Sequence, residues 1–151
     1  MQDKPRIPDT VFTAGYQGQS IGDFLSKLKV AKIELVLDVR CNPVSRIRGF
    51  SKTALSGSCQ TSGMAYKHMR NLGIPSALRK SLVTPEDYRR LFDKYERELL
   101  PQAAAELRQA EQLVRKHRTA LVCFERDADC CHRKRLARSI SAINGFRVID
   151  L

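Results

Sequence analysis

Short apolar runs alternate along this chain with longer amphipathic stretches, and the alternation predicts its elements. Residues 10–14 (TVFTA), closed by Gly15, read as a first strand. Ser20 and Asp23 form a capping-box variant ahead of Ile21, Phe24, Leu25 and Leu28, which share one helical face. The clearest strand is residues 33–39 (IELVLDV), β-branched and free of breakers until Asn42 and Pro43. An Arg- and Ser-rich loop follows to Phe50. Ser51 then caps a short helix ending near Gly63, and residues 65–69 make a weaker third strand. Residues 71–83 lack periodicity and contain Gly73 and Pro75, so they are expected to be a loop. Thr84, Pro85, Glu86 and Asp87 combine a cap, a proline at the first helical position and first-turn acids. That helix runs to about Leu100, where Pro101 breaks or restarts it, and a second continues over residues 103–117. Residues 119–124 (TALVCF) form a fourth strand, residues 131–143 a helix ended by Asn144 and Gly145, and residues 146–151 a last strand.

Strands alternating with helices predict an α/β fold. The expectation is a single three-layer α/β/α domain, Rossmann-like, with a mainly parallel sheet of about five strands and right-handed crossovers. The domain covers residues 10–151, residues 1–9 form a flexible tail, and the last strand lies at a sheet edge.

In such a sheet the residues that follow every strand gather on one rim, where ligands bind. That rim is expected to collect Tyr16, Asp38, Arg40, Ser45, Arg46, Tyr66, His68, Arg70 and residues 125–133. Leu121 to Arg138 (LVCFERDADCCHRKRLAR) is the most informative stretch, because strand end, reactive residue types and helix start fall together there. Asp38 and Arg40 stand at i and i+2 of one strand face, so they can pair, leaving Asp38 ionised and Arg40 oriented toward an anion. Glu125 leaves the fourth strand as a carboxylate able to act as general acid or base. His132, in the first turn of its helix, is expected neutral, since the helix dipole disfavours imidazolium there. Cys131 is a nucleophile candidate at a helix N-terminus beside Arg133, although Asp127 and Asp129 oppose its thiolate. Asp38, Glu125, His132 and Cys131 are therefore the catalytic candidates, and Tyr16, Arg40, Ser45, Arg46, Tyr66, His68 and Arg133 the anion-binding ones. Each has a structural alternative: an ion pair at the rim for the acids and arginines, a cap for His132, a small core residue for Cys123. A zinc site drawn from Cys123, Cys130, Cys131, His132 and His68 is conceivable, but adjacent Cys130, Cys131 and His132 do not easily all reach one tetrahedral ion and no paired CxxC exists, so neither a metal site nor a cofactor is assigned.

Charge sharpens this picture. The net charge is +11, and no acidic residue lies between Asp38 and Glu86, whereas Arg40, Arg46, Arg48, Lys52, Lys67, Arg70, Arg79 and Lys80 do. A second basic block comprises Arg133, Lys134, Arg135 and Arg138. Such segregation suits an anionic small molecule or nucleic acid, or else a solvated basic face. Aromatics near these stretches are sparse, with Phe50 and Tyr66 alone placed for base stacking. No apolar run reaches the length of a membrane span, and residues 1–10 hold no secretory h-region. The odd count of five cysteines favours reduced thiols and a cytoplasmic location. No feature specifies an oligomeric state.

The order of motifs adds a likeness. Gly15-Tyr16, the DVRCNPVSR block over residues 38–46, Phe50, Tyr66 and His68, Leu72-Gly73, and the CFERDADCCHR block over residues 123–133 together resemble the bacterial and archaeal family known as domain of unknown function 488. The resemblance covers nearly the whole chain and implies a compact three-layer α/β domain without a settled reaction. The doublet Cys130-Cys131 stands where one cysteine satisfies the pattern. LVLDVR also resembles the strand before the active site of rhodanese-type sulfurtransferases. Those enzymes carry a cysteine heading a glycine-containing anion loop, and the loop after Phe124 has no glycine. The leading expectation is an enzyme, a hydrolase or transferase using Asp, Glu or His acid–base chemistry on a nucleotide or nucleic-acid substrate. A non-catalytic nucleic-acid module and a thiol, sulfur-transfer or redox protein built on Cys130 and Cys131 are the alternatives.

Overall fold

A computed structural model describes residues 8–151; the tail expected over residues 1–9 falls largely outside the described residues. Five parallel strands form one sheet in the order β3-β2-β4-β1-β5, built from β1 (Thr10–Gly15), β2 (Leu35–Asp38), β3 (Ala65–His68), β4 (Thr119–Cys123) and β5 (Arg147–Asp150). The central strands β1, β2 and β4 are buried along their whole length, as near-continuous apolar runs require when both faces are covered. β5 lies at an edge, paired to β1 alone.

Alternation along the strands sorts side chains into two layers. Phe12, Val36, Ala120 and Val122 face α1 (Ile21–Val30) and α2 (Lys52–Thr61), meeting Phe24, Leu28, Leu55 and Cys59. Val11, Leu37, Leu121 and Cys123 face the opposite layer of α3 (Pro85–Lys94), α4 (Leu100–Gln102), α5 (Ala104–Lys116) and α6 (His132–Asn144). Local chemistry starts these helices. Ser20 Oγ accepts the Asp23 N–H, and Thr84 with Asp87 completes a reciprocal capping box before Pro85. Three helix-to-strand links turn through left-handed residues, Lys32, Gly63 and Gly145.

Two expectations change. Helix α3 passes into α4 through a π-helical turn, Tyr95–Leu99, so Pro101 falls after a widened turn rather than at a simple break. The segment expected to be a loop holds two 3-10 turns, Arg70–Leu72 and Ser76–Arg79. It packs tightly on the segment that follows β2: a Cβ on Gly73 would lie 2.2 Å from the Cys41 backbone nitrogen. That contact draws Ile74, Ser76 and Arg79 over the strand ends.

Candidate functional site

The chain leaves β1 toward β2 in one direction and returns to β4 between them, which makes a crevice at the carboxyl ends of these three strands. A pocket of about 380 Å³ opens there. Tyr16, Arg40, Cys123 and Phe124 supply its base. The loop after β2 contributes Cys41, Ser45, Arg46 and Ile47, and the segment after β3 contributes Ile74, Ser76 and Arg79. Close backbone packing holds the base together, since a Cβ on Gly15 would come within 1.7 Å of the Glu125 carbonyl oxygen. Tyr16 stacks on Phe50 with centroids 4.2 Å apart and meets Phe124 edge-on.

Several rim candidates turn inward. Asp38 is fully buried, and both its oxygens are engaged: Oδ1 accepts Arg40 Nε at 2.8 Å and the Arg40 backbone N–H, while Oδ2 accepts Arg40 Nη2 at 2.7 Å and the Tyr66 hydroxyl. Arg40 also donates through Nη1 to Tyr16 Oη and to the Phe50 carbonyl, at 2.9 and 2.6 Å. Burial, and next the hydrogen bond to Asp38, push the Tyr66 phenol far above its ordinary value, so it serves as a donor. This network is saturated, and Asp38 has no lone pair left to take a substrate proton. Arg133 is buried as well, its guanidinium bound to the carbonyls of Glu125 and Arg126 rather than pointing into the pocket. His68 Nε2 meets the Arg40 carbonyl at 2.7 Å and borders a neighbouring hollow with Lys52 and Arg70. Ser45 is placed by Ser51 and lines the main pocket. Arg46 is exposed at the pocket wall with no ion pair among the described residues.

Behind the pocket floor lies a compact group drawn from the 121–138 stretch, joined by Arg79. Glu125 Oε1 accepts Arg79 Nη1 at 2.9 Å, and Cys123 Sγ is 3.4 Å from Glu125 Oε2. His132 is wholly buried, Nε2 facing the Val39 carbonyl at 2.9 Å and Nδ1 facing Arg79 Nη2 at 3.2 Å. It is not the solvent-facing cap that a first-turn histidine suggests. Cys131 is the N-cap of α6, and its Sγ accepts the Arg133 N–H at 3.5 Å. Because Cys131 is extended (φ −137°, ψ 145°) and His132 begins the helix, the two side chains diverge from the chain path and meet Cys123 from β4. Ligand atoms of Cys123, Cys131 and His132 lie within 4.8 Å of one another, so Cys123 from β4, and not Cys130, completes a group with the adjacent Cys131 and His132. Cys130 is exposed and apart from this group.

The electrostatics follow from burial and neighbours. Burial first, then the Cys131 sulfur, raise the Glu125 carboxyl, with Arg79 opposing. Burial alone would raise the Cys131 thiol, but the Cys123 hydrogen bond, with His132 and Arg133 beside it, takes it well below its ordinary value. Cys123, hydrogen-bonded to Cys131 and buried, is raised correspondingly. The proximity of Asp127 and Asp129 to Cys131 in sequence thus does not decide its state.

Arg79 is the functional candidate that motif reading missed. It was visible as one basic residue of the acid-free stretch, and its position depends on how the segment after β3 folds back. The second basic block is largely neutralised in place: Lys134 pairs with Asp129 and Asp150, and Arg135 with Asp93 and Glu96. Phe50 is fully buried and Tyr66 is held by Asp38, so neither is free to stack on a base. No helix among the described residues is long and apolar enough to cross a membrane.

Comparison with known proteins places the chain in a family. A model for the family described as domain of unknown function DUF488 matches residues 20–140, and the chain belongs to that family. No curated protein and no solved structure matches it.

Proposed function

We propose that the chain is an enzyme acting on a phosphate-bearing small molecule of the nucleotide class, seated in the crevice at the strand ends. One observation carries this reading: two arginines, Arg46 and Arg79, border a pocket with apolar walls while keeping donor capacity. Arg46 has no ion pair among the described residues, and Arg79 Nε is buried without a hydrogen-bond partner among them. Phe124, 38% exposed, and Ile47 and Ile74 offer surface for a ring beside that anion site. Glu125 lies behind the floor, paired to the pocket-lining Arg79, and is the carboxylate assigned to move a proton at the bound substrate. Arg40 and Tyr16 shape the base rather than bind the anion.

The reaction class is hydrolysis or transfer. A nucleic-acid module built on the block from Arg133 to Arg138 is less favoured, since three of its four cations already face internal partners. Thermal-shift screening against nucleoside mono-, di- and triphosphates tests the proposal. At a ligand concentration of 100 Kd the stabilisation is about 2.7 kcal/mol, or a rise of about 5–10 °C for a chain of this size. Arg46→Leu and Arg79→Leu should remove the shift, while Glu125→Gln should keep it and lose turnover. A panel in which no phosphorylated compound moves the melting temperature refutes the proposal.

A further inference from the structure

We infer that Cys123, Cys131 and His132 bind a zinc ion whose fourth position opens into the rim pocket. All three residues are buried, with their ligand atoms within 4.8 Å of one another. His132 Nδ1 is 4.0 Å from Cys123 Sγ and 3.7 Å from Cys131 Sγ. Tetrahedral zinc, with Zn–S of about 2.3 Å and Zn–N of about 2.0 Å, requires S–N edges of about 3.6 Å. The two S–N edges therefore need shifts of a few tenths of an ångström, and the Cys123–Cys131 pair, already within 4.8 Å, must close to about 3.8 Å.

The imidazole is already set as a ligand. A carbonyl oxygen can only accept, so the 2.9 Å contact with Val39 places the ring proton on Nε2. Arginine can only donate, so the 3.2 Å contact from Arg79 Nη2 places the lone pair on Nδ1, the atom that faces both sulfurs. A backbone carbonyl fixing the far nitrogen is the usual outer support of a metal-bound histidine. Two thiolates, a neutral imidazole and a dication sum to zero charge, which suits a buried site. Arg79 is the group that must yield Nδ1; it is one-third exposed and retains Glu125 as a partner.

The sulfur and nitrogen ligand set selects zinc over the oxygen-loving cations. Three protein ligands with a fourth position at a pocket is the arrangement that activates water or polarises substrate, whereas structural zinc sites are closed by four. Here Cys123, one of the three ligands, lines the pocket, and Glu125 Oε2 stands 3.4 Å from its sulfur. On binding, each thiol that still carries a proton releases it to solvent as its sulfur–metal bond forms, and no electron is transferred.

This inference does not rest on the nucleotide reading, because its readouts need metal alone. The full chain, purified under reducing conditions and stripped with chelator, is titrated with Co²⁺. One cobalt per chain should bind with intense tetrahedral visible bands and a sulfur-to-cobalt charge-transfer band, both displaced by one equivalent of Zn²⁺. X-ray absorption of the zinc form should show two sulfur scatterers at about 2.3 Å. Cys131→Ser and His132→Gln should lose the bands, and Cys130→Ser should keep them. If the first two variants fail to fold, the wild-type spectra and Cys130→Ser still decide. Absence of sulfur ligation in the wild-type chain, or loss of the bands in Cys130→Ser, overturns the site. A chain that binds cobalt in this way but no nucleotide would refute the substrate proposal and leave the metal site standing.

Discussion

Replacing Arg40 with methionine isolates what the interior network at the crevice base contributes. The substitution keeps chain length and apolar bulk and removes the cation. Asp38 is then a fully buried carboxylate that retains the Tyr66 hydroxyl and one backbone N–H but loses both guanidinium contacts, at 2.7 and 2.8 Å. Tyr16 Oη and the Phe50 carbonyl lose their donor as well. Breaking a buried pair by removing one partner costs about 3–5 kcal/mol. For a chain of this size that lowers the melting temperature by about 6–20 °C. Urea denaturation followed by circular dichroism reads the change as a shift in midpoint at constant slope. Asp38→Asn alone should be destabilising too, because it strands the guanidinium. The double variant should be more stable than the sum of the two losses implies, with a coupling of about 1–3 kcal/mol. An Arg40→Met chain within about 1 kcal/mol of wild type, far below the cost of breaking a buried pair, or a strictly additive double variant, would refute the reasoning. Asp38 would then not be the closed structural group described here.

Four further outcomes follow from particular contacts. Gly15→Ala should destabilise the fold, read by calorimetry, because its Cβ would lie 1.7 Å from the Glu125 carbonyl and β1 must part from that residue. Gly73→Ala, with its Cβ 2.2 Å from the Cys41 nitrogen, should displace Arg79 and so weaken nucleotide-induced stabilisation as well as the fold. Backbone hydrogen bonds from Thr84 and Val83 hold Asp87 below its ordinary value. Its folded pKa is thus lower than its unfolded one, so its contribution is present above the unfolded value of about 3.9 and is lost as pH falls through the folded one. Asp87→Asn should flatten the acid limb of the stability–pH profile and leave its neutral region unchanged in slope. Lys134→Glu should lower stability, since it opposes Asp129 and Asp150, while the salt dependence of any DNA binding stays unchanged.

The framework was legible because it depends on local patterns. The apolar runs of β2 and β4, the Ser20 and Thr84 caps and Gly145 are signals written in adjacent residues, and each element appears within a few positions of its expected bounds. The pairing of Asp38 with Arg40 was also readable, since i and i+2 share a strand face. What that pair faces was not, because Tyr16, Phe50 and Tyr66 reach it from three other segments. The same limit applies to Arg133, whose charge is plain in the sequence and whose burial is a property of the whole fold. Arg79 reaches Glu125 across 46 residues, from a stretch with no periodicity to mark it. Cys123 reads as a small core residue and packs as one, yet the residue also lines the pocket.

The left-handed links at Lys32, Gly63 and Gly145 have a practical bearing. Each feeds a strand at its amino end, so all three sit across the sheet from the crevice. Fluorophores, affinity handles or grafted peptides placed at those corners would report on the chain without crowding its mouth. Lys32 is the most forgiving of the three, since it already carries an exposed side chain in the left-handed region, whereas at Gly63 and Gly145 an added side chain would meet open space but strain the turn.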